Sequence, residues 1–94
     1  MAVALRLAIA SAAVGAQVRP SAAGDFKVLA EQAEQASKQN RLDDAASLYR
    51  KALALRPAWT EGWWSLGTIE YDRDNYAKAA GDFEKVIALD AKDG

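Results

Sequence analysis

Between residues 26 and 89 the apolar positions recur three and four apart, the spacing that lays them along one side of a helix. Four such stretches follow one another, separated by residues that end helices. The first covers residues 26–39, and Asp25 is placed to accept a hydrogen bond from a free first-turn amide. Asn40 tolerates the left-handed conformation that closes a helix, and Arg41 follows it into a tight turn. The second stretch covers 42–55, with Leu42, Ala45, Ala46, Tyr49, Ala52 and Leu53 as its buried stripe, and Pro57 stops it. Thr60 is the candidate N-cap of the third, which reaches residue 73, and Asp74 and Asn75 make the next turn. The fourth covers 76–89, with Ala79, Ala80, Phe83, Val86 and Ile87 as its stripe. Connections this short force neighbouring helices to lie antiparallel.

The four stretches are two copies of one pair. Moved back by 34 residues, the second half falls on the first: Trp63 on Leu29, Gly67 on Ala33, Tyr76 on Leu42, Ala79 on Ala45, Phe83 on Tyr49, Ile87 on Leu53 and Leu89 on Leu55. The small residues explain how each pair packs. Ala33 and Gly67 on the first helix, with Ala45 and Ala79 on the second, let two backbones approach, and Tyr49 and Phe83 fill the space beside them. The expected architecture is therefore all-α: an α-solenoid of two antiparallel helix-turn-helix repeats over residues 25–58 and 59–93.

The motif Trp63-x-x-Leu66-Gly67 followed by Ala79-x-x-x-Phe83, and its partner Ala45-x-x-x-Tyr49 with Pro57 beyond, resembles the tetratricopeptide repeat. The resemblance spans both copies. It departs at Gln32, where the family usually has leucine, at Glu70, where its tyrosine arrives one residue late as Tyr71, and at Ala91, which replaces a closing proline. Two repeats with no third leave the outer side of the fourth helix open, which suggests a piece of a longer protein or self-association through that helix.

Composition narrows the function. With 12 basic and 13 acidic residues the chain has no field that would gather nucleic acid or an anionic membrane. It has no cysteine and no histidine, so disulfides, thiol chemistry, zinc-finger sites and imidazole catalysis are excluded. Residues 1–16 hold one charge, Arg6, and an alanine-rich apolar run, ending in Val14-Gly15-Ala16; this is the pattern of a cleavable secretory signal. The run is too short to span a bilayer. Residues 17–24 read as a flexible leader broken by Pro20 and Gly24, with Gln17 starting the mature chain. The expected location is outside the cytoplasm, periplasmic or secreted, without stable membrane insertion.

The resemblance implies that the first helix of each pair lines a concave surface that receives a peptide. The lining is then Lys27, Ala30, Glu31, Glu34, Ser37 and Lys38 from one repeat, and Glu61, Trp64, Ser65, Thr68, Tyr71 and Asp72 from the other. Trp64 and Tyr71 are the expected anchors, because both are large and rigid and neither is needed by the stripe of Trp63, Leu66 and Gly67. Some family members grip a C-terminal carboxylate with lysine and asparagine. Here those places hold Ala30, Glu34 and Ser65, and Glu34 would repel such a group. A peptide with basic and apolar side chains fits better. No catalytic, cofactor or metal site is expected: Asp43 and Asp44 sit in a first helical turn, where they serve the helix dipole, and Asp72 and Asp74 flank a turn too short for a calcium loop. The leading reading is a non-catalytic protein-interaction module. The alternative is an N-terminal fragment of a larger secreted repeat protein whose activity, enzymatic or not, lies downstream.

Overall fold

The computed structural model describes residues 22–93. The signal segment expected at 1–16 and most of the expected leader lie outside the described residues. Four helices follow in order: α1 (Ala22–Lys38), α2 (Leu42–Leu55), α3 (Thr60–Asp72) and α4 (Tyr76–Asp93). They pack as two antiparallel pairs, α1 with α2 and α3 with α4, and α3 lies against α2 to join the pairs. The described residues contain no strand.

The two turns inside the pairs are the same turn 34 residues apart. Asn40 (φ 60°) and Asp74 (φ 67°) both take the left-handed conformation, which short polar side chains tolerate. The Arg41 amide donates to the Ala36 carbonyl at 2.8 Å, and the Asn75 amide donates to the Glu70 carbonyl at 2.8 Å. Asn40 and Asp74 donate to Ser37 and Tyr71 in the same way, each at 3.0 Å. These bonds satisfy carbonyls that a helix end otherwise leaves without partners.

Helix ends differ from the sequence expectation at three places. Helix α1 already includes Ala22 to Gly24, so Gly24 breaks no helix and Asp25 stands inside the first turn rather than capping it. Its carboxylate there faces the positive end of the helix dipole. Thr60 is the first helical residue of α3; Trp59 holds the cap position in an extended conformation and makes no side-chain cap bond. Helix α4 continues past Leu89 to Asp93. Pro57 ends α2, but at the matching position Ala91 has an amide to donate and no ring to clash, so the helix runs on.

The core is built mostly from alanines and runs through both pairs. Ala33, Ala36, Ala45, Ala46, Tyr49, Leu53, Leu66 and Ile69 are buried together, with Leu42, Leu48, Trp59 and Trp63 packed against them. Gly67 and Ala79 are both buried, and the Phe83 ring lies on Gly67 so closely that a Cβ there would be 2.7 Å from it. Gly62 is a second close approach, with the Trp59 ring lying directly on its backbone. Trp59 joins the repeats: its ring centroid is 4.9 Å from that of Phe26, edge-on, and 5.9 Å from that of Tyr49. Trp63 is anchored by donating its indole N–H to the Pro57 carbonyl at 2.7 Å. Gln32, the departure on α1, is exposed.

Candidate functional site

Between α1 and α3 lies a hollow of about 260 Å³. Helix α1 supplies Ala30, Glu31 and Glu34 to its wall, and α3 supplies Glu61 and Ser65. Tyr49 of α2 and Trp59 make its aromatic floor. An adjoining hollow of about 270 Å³ shares Ser65 and adds Trp64, Thr68 and Asp72 of α3, with Ser37 and Asn40 from the first pair. The helical period explains the grouping: Glu61, Ser65, Thr68 and Asp72 follow at spacings of four, three and four, one face of α3.

Nine of the twelve residues expected to line the surface therefore border one furrow made of these two adjoining hollows: Ala30, Glu31, Glu34, Ser37, Glu61, Trp64, Ser65, Thr68 and Asp72. Lys27, Lys38 and Tyr71 lie outside both hollows. Lys38 is exposed in the last turn of α1. Tyr71 is 58% exposed and packs edge-on against Tyr76, with ring centroids 5.1 Å apart. Trp64 is also 58% exposed, but its ring leans on Phe83 at 5.2 Å, so it is held in place from beneath. The Thr68 hydroxyl donates to the Trp64 carbonyl at 3.0 Å within the helix.

The furrow is acidic. Glu31, Glu34 and Glu61 are exposed, and among the described residues none of them is in an ion pair. Three of the acidic residues considered earlier are otherwise employed. Asp43 pairs with Arg73 at 3.0 Å, Asp44 lies 3.7 Å from Arg41, and Asp74 accepts from the Tyr76 hydroxyl at 2.9 Å, which raises the phenol above its usual range. Among the described residues no group of acidic side chains is placed to hold a metal ion.

One polar centre was not visible to sequence reasoning. Glu70 is 1% exposed, and its carboxylate accepts from Arg50 at 2.6 Å, from Asn75 at 2.8 Å and from Arg73 at 3.1 Å. Burial alone would raise its pKa. The bonds from Asn75 and Arg50 and the charges of Arg73 and Arg50 outweigh burial and hold the carboxyl below its usual range. A clue lies in the sequence: Glu70 stands in the buried register of Trp63, Leu66 and Gly67, where a bare carboxylate needs partners. Near it, Asp82 of α4 has a buried carboxylate oxygen with no hydrogen-bond partner, and its pKa is pushed up to about 6 by burial and by the Glu70 charge, against Arg50 and Lys78.

No family model matches the chain. It is similar to the protein O-mannosyl-transferase TMTC1 of Homo sapiens, 31% identical over 77 residues. That alignment takes in 78% of this chain and 8% of the transferase, so the chain spans a small part of the length of the curated relative it matches. Two helix pairs with matching turns make this a helical-repeat protein.

Proposed function

We propose that the chain is a non-catalytic interaction module of tetratricopeptide type, and that its furrow between α1 and α3 receives an extended peptide carrying basic and apolar side chains. The observation that carries this reading is the set of three carboxylates, Glu31, Glu34 and Glu61, standing around the aromatic floor of Tyr49 and Trp59. A lysine or arginine on the peptide neutralises carboxylates that have no partner of their own, while an apolar side chain fills the hollow against the rings. Trp64, braced on Phe83, offers a rigid aromatic edge further along. The pattern of residues 1–16 supports placing this module outside the cytoplasm. A second reading, that the repeats are a docking segment of a larger exported protein, is favoured by the alignment's restriction to 8% of a much longer relative.

The test is a titration of the full chain with a fluorescent peptide of alternating lysine and leucine. Glu34→Lys combined with Glu61→Lys is expected to weaken binding at least tenfold, about 1.4 kcal/mol, with the far-ultraviolet circular dichroism unchanged because both side chains are exposed. Trp64→Ala is expected to weaken it less. Equal affinity for the charge-reversed chain would remove the furrow as the site.

A further inference from the structure

On the side of α3 turned away from the furrow, a hollow of about 470 Å³ lies between α2 and α4. Leu53 and Ala54 of α2, with Trp63 and Leu66 of α3, make its apolar lining. Arg50, Glu70, Lys78 and Asp82 supply its charges. Trp63, Leu66 and Glu70 stand about half a turn round α3 from Glu61, Ser65 and Thr68, so the hollow and the furrow are separate. Lys78 and Asp82 likewise lie across α4 from Tyr76, Ala80 and Ile87. A helix laid against α4 as α3 is laid against α2 would meet those three residues and leave the hollow open.

Asp82 is a residue that the fold does not ask for. Its counterpart in the first pair is Leu48, half-buried and packed on the core. The second pair sets a half-buried carboxylate there, and one of its oxygens is buried without a hydrogen-bond partner. The cations around it are otherwise placed. Arg50 of α2 donates to Glu70 at 2.6 Å, and the Lys85 ammonium lies over Trp63, 5.7 Å from the ring centroid. Lys78 is exposed one turn before Asp82, the weaker order for an ion pair along a helix, and among the described residues no ion pair joins the two. Burial, and then the like charge of Glu70 on α3, push the Asp82 pKa up to about 6 against Arg50 and Lys78. At pH 7 the side chain is still mostly ionised, and it has no counter-ion.

We propose that this hollow binds a small organic cation, a protonated amine carried on an apolar body. The ammonium donates to the Asp82 carboxylate, and the body lies against Trp63, Leu53 and Leu66. A three-walled hollow of this volume, apolar but for a few converging charges, has the size and character of a small-ligand site. An anion would meet the charges of Asp82 and Glu70, and a neutral molecule would leave Asp82 uncompensated.

The test titrates the full chain with phenethylamine, 2-phenylethanol and 3-phenylpropanoate, followed by nuclear magnetic resonance. At pH 7 the amine is expected to shift the Leu53 and Leu66 methyls and the Trp63 indole N–H saturably, with the alcohol at least tenfold weaker and the carboxylate weaker still. Between pH 7 and pH 5 the amine is expected to lose about tenfold in affinity, because only about one Asp82 carboxyl in ten is then ionised, while the alcohol is unchanged. Asp82→Asn is expected to bring the amine down to the alcohol. Ala54→Trp is expected to fill the hollow and remove both, and the fold should survive because Ala54 is exposed. Absence of saturable binding by the full chain, or equal binding of amine and alcohol, would overturn the site. So would shifts confined to Ser65 and Thr68 and indifferent to Asp82→Asn, which would place the amine in the furrow. The lysine–leucine peptide shifting Leu53 and Leu66 instead of Ser65 and Thr68 would give the hollow to a protein side chain and overturn the small ligand.

Discussion

Arg50 and Glu70 meet at 2.6 Å across the junction of the two helix pairs, and they do so from very different environments. The Arg50 side chain is 48% exposed, whereas that of Glu70 is 1% exposed. The guanidinium is thus a lid on a buried carboxylate, with Arg73 and Asn75 completing its shell from the turn after α3. One side chain fixes α3 to α2 and also the turn that sets the direction of α4.

Glu70→Leu is therefore expected to destabilise the chain by about 2–3 kcal/mol, since three donors lose a charged acceptor. Glu70→Gln keeps an acceptor oxygen and should cost about 1 kcal/mol. Urea unfolding of Arg50→Ala, Glu70→Gln and the double variant makes a cycle whose coupling is expected near 1 kcal/mol. Strict additivity would show that the short contact contributes nothing across the junction.

Much of this arrangement is legible in the residues. The 34-residue shift, the ends of α2, the turn residues Asn40 and Asp74, and the packing of Phe83 on Gly67 all follow from local rules that the structure obeys. The misses have a common cause: each depends on something far away in the chain or summed over a whole helix. A glycine costs about 1 kcal/mol in a helix, too little for Gly24 alone to break α1. Trp59, not Thr60, takes the cap because its ring is held between Phe26 and Tyr49 of the other pair. Glu70 falls in the buried register of α3, but its partner Arg50 lies 20 positions earlier and is brought to it only by the fold. Of the expected contact residues, those at one helical spacing on α3 came together with Glu34, while Tyr71 was drawn away by Tyr76.

Asp82 makes stability depend on pH. Its folded pKa of about 6 lies above its ordinary 3.8, so the folded chain holds this proton more tightly than the unfolded chain does. Stability is highest below about pH 4 on this account and falls as pH rises to about 6, where the carboxylate ionises beside Glu70. Glu70 works in the opposite sense, since its lowered pKa supplies stability above its ordinary 4.5 that is lost on acidification. Water still reaches part of Asp82 and screens it, so the penalty at pH 7 is about 1–2 kcal/mol rather than the full value of the shift. Asp82→Asn is expected to stabilise the chain by that amount at pH 7 and by almost nothing at pH 4. A difference that stays constant between pH 4 and pH 7 would rule out ionisation as its cause.

Gly67 and Gly81 separate two effects of the same residue type. Both lie inside helices, where glycine costs roughly 0.5–1 kcal/mol relative to alanine. A Cβ at Gly81 meets nothing within 4 Å, so Gly81→Ala recovers that amount and raises the urea midpoint. A Cβ at Gly67 comes within 2.7 Å of the Phe83 ring, which itself supports Trp64 at 5.2 Å. A larger side chain there must push α3 and α4 apart or turn the Phe83 ring out, and Gly67→Leu is expected to cost roughly 1–3 kcal/mol. Removing the obstruction tests the cause. In Gly67→Leu with Phe83→Ala the leucine occupies the space of the missing ring, so the double variant should be more stable than the sum of the single changes predicts. If the two losses simply add, the strain at Gly67 comes from its own helix and not from the close approach of α4.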